Sequence, residues 1–248
     1  PGFSLLDNLT FSSKRSLAYA FGGGVIFNLA NMLLVAGIAV AGLSVAFPVG
    51  IGLALIIGVA LNYMLKRQGD PLFLFGGSYL VLIAIIVCAL AHATHKRATP
   101  GAPEGAAPAP APPPRSSRGG RSAAASKAEK ASPLTGILLS LFGGLFMGLF
   151  YPVVQLSMDP DIGLGPYGAS LLFAIGVFTS TFFFNLFFIN LPVEGPTLSF
   201  FDYFKGTSKQ HLLGILGGVI WCTGAVANFA AASAPSSVNI GPAVAYAL

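Results

Sequence analysis

Long apolar runs alternate with short polar segments along the chain, and six of these runs contain no Asp, Glu, Lys or Arg. A helix needs about 20 consecutive apolar residues to cross a bilayer. Even the shortest run, 212–232, is long enough, so each run predicts a membrane-spanning helix. The six runs are 17–41, 43–65, 72–94, 134–157, 166–191 and 212–232. A seventh apolar run begins near Val238 and is too short to span before the sequence stops at Leu248.

Composition supports the same assignment. Hydrophobic residues make up 54% of the 248 residues, charged residues only 8%, and the mean hydropathy is +0.78. A soluble domain is usually about a quarter charged, and a charge at the bilayer centre costs roughly 2.5–3.5 kcal/mol or more. The 13 basic and 8 acidic side chains all lie outside the six runs. We therefore predict an all-α integral membrane protein in a lipid bilayer.

The only long polar segment is 95–133, which is rich in Ala and Pro and predicts a flexible linker. It divides the chain into an external flank (1–16), a first group of three spans (17–94) and a second group (134–248) of three spans and the start of a fourth. Most of the net charge of +5 lies in this linker rather than on a folded face, so nucleic acid is not an expected partner.

The distribution of Lys and Arg predicts the orientation, because these residues are retained on the cytoplasmic side. The side that holds the start of the first span carries four of them: Lys14, Arg15, Lys66 and Arg67. The opposite side carries nine: Lys96, Arg97, Arg115, Arg118, Arg121, Lys127, Lys130, Lys205 and Lys209. We therefore expect the linker in the cytoplasm.

Part of the sequence repeats after 194 residues. The segment Gly23-Gly24-Val25-Ile26 aligns with Gly217-Gly218-Val219-Ile220, and the aromatic Phe27 aligns with Trp221. In the same register Pro48 aligns with Pro242. Chance recurrence in an apolar sequence is the alternative explanation.

A true repeat would relate the first span to the sixth. The sixth span comes five spans after the first. Because five is an odd number, the two copies would cross the membrane in opposite directions. Such inverted repeats are typical of secondary transporters, which bind the substrate between the copies. The complete architecture would have two five-helix units, and we expect this chain to be a fragment that lacks both ends.

Few residues in the spans can carry out chemistry. The spans contain no ionisable carboxylate or amine, and the chain has no HExxH, GxSxG or GxxxxGK[ST] motif. We therefore expect no enzyme, no metal, no cofactor and no ATP site. Cys88 and Cys222 lie in apolar runs and are expected to be small buried hydrophobes.

Uncharged polar groups remain as candidates for binding a substrate. Asn28 and Asn31 share a face of the first span with Gly24 and Val35, and Trp221 and Asn228 share a face of the sixth. An amide provides donors and an acceptor, and an indole provides a flat stacking surface. We predict that Asn28, Asn31, Trp221 and Asn228 bind a neutral, planar, amide-rich solute. The alternative is that the Asn side chains join helices through hydrogen bonds.

Other residues have weaker arguments. The lower-ranked candidates for the substrate pathway are Ser44, Pro48, Gln155, Asn185 and Pro242. The segment 42–47 could be irregular backbone at membrane depth, although a plain helix start at Pro48 is favoured. Asn62, near a span end, is expected at the interface. The pairs Gly144/Gly148 and Gly214/Gly218 predict close helix packing.

Four segments of the chain resemble the ureide permease family of the drug/metabolite transporter superfamily. They are Asn62-Tyr63, Gly163-Leu164-Gly165-Pro166-Tyr167, Asn185-Leu186-Phe187-Phe188, and a longer block that includes Tyr203-Phe204-Lys205-Gly206, Lys209-Gln210-His211 and Ile220-Trp221-Cys222. The resemblance implies ten helices in two inverted halves, a cytosolic loop after the fifth helix, and proton-coupled transport of allantoin and related oxo-heterocycles. The central loop here lacks the ATP-binding-like motif of plant members, which favours a bacterial type in the inner (plasma) membrane.

From these observations we predict a secondary transporter of small, neutral, nitrogen-rich solutes, with ureides first. A sugar or multidrug permease of the same superfamily is an alternative. A non-transporting membrane scaffold, whose Pro-rich linker recruits partners, is an alternative of another class.

Overall fold

The computed structural model describes residues 4–98, 132–158, 163–191, 193, 199–234 and 242–247, so most of the predicted linker lies outside the described residues. Within these ranges every regular element is helical. The α-helices are α1 (Leu5–Phe11), α2 (Lys14–Ala41), α3 (Leu43–Leu65), α4 (Pro71–Ala98), α5 (Pro133–Ser157), α6 (Pro166–Asn190), α7 (Ser208–Ala232) and α8 (Pro242–Ala247). A 3₁₀ helix, Phe200–Lys205, precedes α7.

The six long helices in the described part of the chain, α2 to α7, are apolar enough to cross a membrane. The all-α membrane fold is therefore confirmed, and the predicted spans agree with these helices to within a few residues at their ends. The short α8 lies in the seventh apolar run.

Polar residues just outside the apolar runs determine where the helices begin. Ser13 caps α2 and Ser132 caps α5, each by accepting a backbone N–H three residues later. Thr207 caps α7, and the Gln210 side chain accepts from the Thr207 N–H in return, which completes a capping box. Because these caps satisfy free N–H groups at the helix starts, the helices begin at the polar boundary of each run.

One residue separates α2 from α3. Gly42 has φ 79°, a value that favours glycine, and its N–H closes α2 by donating to the Ile38 carbonyl. The segment after it is already helical, and Pro48 lies inside α3 rather than at its start. Both the predicted irregular segment 42–47 and the predicted helix start at Pro48 are therefore wrong, because Gly42 alone makes the turn.

Helix α2 is the centre of the bundle and packs against both α5 and α6. A Cβ added to Gly23 would meet Phe150 and Val154 of α5, and one added to Gly24 would meet the Phe173 and Val177 backbone of α6. These glycines allow the helix backbones to approach closely.

Contacts along the helices show their relative directions. On α5, Val154 lies beside Gly23 and Ser140 beside Gly37, so α5 runs antiparallel to α2. At the far end of α5, Met158 accepts a hydrogen bond from the Ser233 hydroxyl after α7. The end of α7 is therefore level with the early part of α2.

Helices α2 and α7 consequently run in opposite directions. Phe27 of α2 stacks on Trp221 of α7 with ring centroids 4.7 Å apart, and α7 then continues toward the level at which α2 begins. This is the orientation that the inverted repeat requires, and the two stacked rings are the pair that the 194-residue shift aligns. The repeat itself stays a prediction, because the first and sixth of six successive spans run in opposite directions whether or not they repeat.

The two predicted small-residue pairs differ in how closely they pack against other helices. Gly144 lies on the Gly50 backbone, and a Cβ on Gly148 would come 3.0 Å from the Ala54 carbonyl oxygen, so this pair joins α5 closely to α3. Gly214 and Gly218 have nothing within 4 Å among the described residues, so the structure shows no close packing at this pair.

Two expectations about burial are wrong. Cys88 and Cys222 are unpaired but exposed, because α4 and α7 lie at the periphery of the described bundle. Asn62 is fully buried rather than at the interface, and its amide nitrogen donates to the Gly58 carbonyl.

Candidate functional site

A cavity of about 290 Å³ lies where α5, α7 and α8 meet. This volume is near the lower end of the range for small-molecule sites, roughly 300–1,000 Å³. The lining residues are Phe150, Tyr151, Ile220, Trp221, Gly224, Ala225, Asn228, Phe229 and Tyr246. A compact solute of one small ring would fit such a space.

Aromatic rings form much of the cavity wall. Trp221 is 45% exposed and stacks on Phe27 and, more distantly, on Phe173, with interplanar angles of 27° to both rings. The phenyl rings next to the indole also pack against one another, in edge-on and tilted arrangements. They are Phe27, Phe173 and Phe150, of which Phe150 lines the cavity. This packing supports one side of the indole and holds it in place.

Two polar side chains of the lining have buried oxygen atoms without a partner. Asn228 donates from Nδ2 to the Ala245 carbonyl at 2.6 Å, which leaves its buried Oδ1 without a hydrogen bond. The Tyr151 hydroxyl is also buried, with no partner apart from the neighbouring Gln155 side chain. Since buried polar groups are normally paired, these two atoms are the expected positions for a polar ligand to bind.

Tyr246 has a structural role at the same cavity. Its hydroxyl lies 3.0 Å from the Ala54 carbonyl oxygen and 3.1 Å from that of Met147, and it donates to these backbone acceptors. Tyr246 therefore fastens α8 to α3 and α5, and its ring closes one side of the cavity.

None of the residues that line the cavity carries a charge. Among the described residues no group of three His, Cys, Asp or Glu could hold a metal ion. A charged solute would lose hydration here without gaining a charged partner, so the site favours a neutral ligand.

The structure separates the four main predicted residues into two pairs. Trp221 and Asn228 line the cavity. Asn28 is 5% exposed, and its Nδ2 is directed at α6, 2.9 Å from the Ser180 hydroxyl and 3.2 Å from that of Thr181. Asn31 donates to the Phe27 carbonyl of its own helix. Neither of these two lies in the cavity lining, so the structure brings only half of the set together.

The lower-ranked candidates are scattered. Gln155 is 5% exposed and lies one helical turn beyond Tyr151, whereas Ser44 is exposed at the start of α3. Pro48 is half-buried within α3, and Pro242 is fully buried where α8 begins. Asn185 lines a different cavity.

This second cavity, of about 310 Å³, lies between the end of α6 and the 3₁₀ helix. Besides Asn185 it includes Asp202, which forms an ion pair with Lys205. The hydrogen bond from the Lys205 ammonium and that from the Ser199 backbone N–H lower the pKa of the Asp202 carboxyl. The carboxylate thus stays ionised and paired at neutral pH, so this cavity offers less to a neutral solute.

Sequence reasoning missed Tyr151. It lies in the apolar run 134–157, where a tyrosine is expected as one more packing aromatic. The usable signal was Gln155 four residues later, because residues i and i+4 share a helix face. That spacing places two polar groups together on α5.

The long apolar helices are those of a multi-pass α-helical membrane protein, and its described part has an open, uncharged pocket of a size that suits a small solute. Residues 2–100, less than half of the chain, match the family model described as ureide permease. The match supports the predicted family resemblance and includes Asn62-Tyr63, while the other three resembling segments lie beyond residue 100. No curated protein and no solved structure matches the chain.

Proposed function

We propose that the protein is a secondary transporter of small, neutral, nitrogen-rich solutes, with allantoin and related ureides as its first candidates. The observation that carries the proposal is the uncharged, aromatic-walled cavity with two buried oxygen atoms that lack partners. The match of residues 2–100 to the ureide permease family model supports the same conclusion.

In this proposal the solute ring lies against Trp221, and its N–H groups face Asn228. The indole stacks on Phe27 and Phe173, so a solute ring on its other face extends an existing aromatic stack. The Asn228 nitrogen is already committed to α8, which leaves only the Oδ1 acceptor for a ligand. A solute rich in N–H donors satisfies this atom, whereas a purely apolar drug would leave it unpaired.

In this proposal the solute enters from the side at which α2 begins. The lining residues Gly224, Ala225, Asn228 and Phe229 of α7 lie between the Phe27–Trp221 stack and the end of α7, which is level with the early part of α2. Toward the opposite side, α2 and α5 pack directly, with Gly136 against Ala41. We place the linker on that opposite, cytoplasmic side, with protons as the coupling ion that the family resemblance implies.

Counterflow of labelled allantoin tests the proposal. Proteoliposomes that contain the full-length protein and unlabelled allantoin should accumulate the label, and Trp221→Ala should reduce the rate at least about tenfold because it removes the stacking surface. Phe178→Ala is the matched control, since Phe178 is 65% exposed outside the cavity, and should leave the rate unchanged. Counterflow of a labelled sugar without any of allantoin would contradict the ureide assignment and favour the sugar permease.

A further inference from the structure

Two neighbouring side chains of α5 are buried with no hydrogen-bond partner outside their own pair. Tyr151 is 2% exposed and Gln155 5% exposed, and neither the Tyr151 hydroxyl nor the Gln155 amide is paired with any other group. Other buried polar groups of the same helix are satisfied, since Ser140 donates to the Gly136 carbonyl and Ser157 to that of Val154. Burying a whole amide without a partner destabilises a fold, which indicates that these groups have another use.

Tyr151 connects this pair to the cavity, whose lining does not include Gln155. Tyr151 lines it, and its ring packs 5.7 Å from that of Phe229 and 5.4 Å from that of Tyr246. Gln155 follows four residues later, so the two side chains are neighbours on one face of α5. The unpaired Asn228 Oδ1 belongs to α7, on another wall of the same cavity.

We propose that Tyr151 and Gln155 determine specificity by binding the amide edge of a cyclic solute. The Tyr151 hydroxyl donates to a ring carbonyl oxygen, and the Gln155 Oε1 accepts the adjacent ring N–H. A hydroxyl and a primary amide together provide the donor and acceptor that such an edge needs. The proposal rests on the proposed function and narrows the substrate class to planar rings with a carbonyl next to an N–H and a second N–H for Asn228.

Tyr246 provides a matched control for Tyr151. Both are buried tyrosines at the same cavity, but the Tyr246 hydroxyl is used in the fold, where it donates to backbone carbonyls of α3 and α5. Tyr151→Phe removes a hydroxyl that joins no two helices, whereas Tyr246→Phe removes one that joins α8 to α3 and α5. Tyr151→Phe should therefore weaken ligand binding at little cost in stability, whereas Tyr246→Phe should lower the stability.

Displacement of labelled allantoin by three hydantoins tests the inference on the purified full-length protein. Hydantoin and 5,5-dimethylhydantoin keep both N–H groups, whereas 1,3-dimethylhydantoin has the same two added methyl groups but no N–H. The wild-type protein should bind 1,3-dimethylhydantoin at least about tenfold more weakly than its 5,5-isomer, the loss expected for unpaired buried polar groups. Tyr151→Phe and Gln155→Leu should bind hydantoin about tenfold more weakly, and Gln155→Leu should bring the ratio between the two isomers below roughly threefold.

Different results separate this inference from the proposed function. Undiminished hydantoin binding in Tyr151→Phe, or an unchanged isomer ratio in Gln155→Leu, would overturn the inference while allantoin binding keeps the proposed function. Failure of the wild-type protein to bind allantoin or hydantoin would overturn both. If Gln155→Leu does not fold, Tyr151→Phe and the wild-type isomer ratio decide, because Tyr151→Phe removes a single oxygen atom. Asn62→Leu, which removes a buried amide outside the cavity lining, should keep the wild-type ratio.

Discussion

Amide side chains inside the bundle have two different roles, and the partners of their polar atoms distinguish them. The Asn28 amide nitrogen is directed at hydroxyl groups of α6 and joins two helices. The Asn228 amide uses its nitrogen to hold α8 and leaves its oxygen free at the cavity. Residue type alone therefore does not define a binding residue; a candidate also needs an unpaired atom at the cavity.

Replacing Asn28 tests its role as a link between helices. Asn28→Leu keeps the volume but removes the hydrogen bonds to α6, so we expect a loss of about 0.6–1.7 kcal/mol in the free energy of unfolding, as for other interhelical hydrogen bonds in membranes. Unfolding in mixed detergent measures this loss. Asn31→Leu, which removes only a bond within α2, should cost less. Intact stability together with lost allantoin binding in Asn28→Leu would instead identify Asn28 as a substrate contact.

Part of the site could be predicted from residue chemistry. Trp221 and Asn228 were identified because an indole and an amide stand out in an apolar run, and both line the cavity. Tyr151 could not be identified in this way, because whether its hydroxyl is paired depends on the helices around it. The same reason explains why the partner of Asn28, which belongs to α6 more than a hundred residues away, was not foreseen.

At the scale of elements, glycines set how closely the helices approach. Gly24 of α2 lies against the Phe173 carbonyl of α6, while Gly22 has nothing within 4 Å. Two glycines of α7, Gly217 and Gly218, align with Gly23 and Gly24 of α2. Both have nothing within 4 Å among the described residues. The two aligned helices thus share a sequence motif but differ in how much of it is covered in the described structure.

A pair of alanine substitutions tests the contact between α2 and α6. Gly24→Ala should force the helices apart and cost roughly 1–3 kcal/mol, the usual cost of overpacking. Gly22→Ala, two residues earlier in the same helix, should be neutral or stabilise by up to about 1 kcal/mol through helix propensity. Thermal unfolding of the two purified variants compares them directly, and equal stability would show that the close contact does not exist.

The element boundaries were predictable for a physical reason. Span length and the exclusion of charge are imposed by the bilayer on each segment separately, so they can be recognised without knowing any neighbour. The turn at Gly42 was not predictable in this way, because one glycine with positive φ takes the place of the irregular segment that Pro48 suggested. The exposure of Cys88 and Cys222 depends on which helices surround α4 and α7, which no local pattern records.

At the scale of the whole molecule, the spans before and after the predicted linker 95–133 bring opposite helices together at one seam. The Phe27–Trp221 stack lies at this seam, and α2 and α7 cross it in opposite directions. The cavity next to the stack is built from the second group of spans, while Tyr246 connects it to α3 of the first. Both groups are therefore needed for the site.

Deletion of the central part of the linker separates transport from a scaffold role. Removing residues 101–127 leaves the six described spans intact, so allantoin counterflow should stay within about twofold of the wild-type rate, since loop length changes stability only slowly. A scaffold would lose its partner on the same deletion. Normal protein levels with abolished counterflow would contradict a passive linker.

Tryptophan fluorescence tests the central claim most directly, because Trp221 is the one tryptophan in the 248-residue sequence and lines the cavity. Titration of the purified chain with allantoin should give a saturable change in this fluorescence, which hydantoin competes for and a sugar does not. An emission spectrum that allantoin leaves unchanged, in protein that transports it, would show that the solute binds elsewhere and would contradict the site described here.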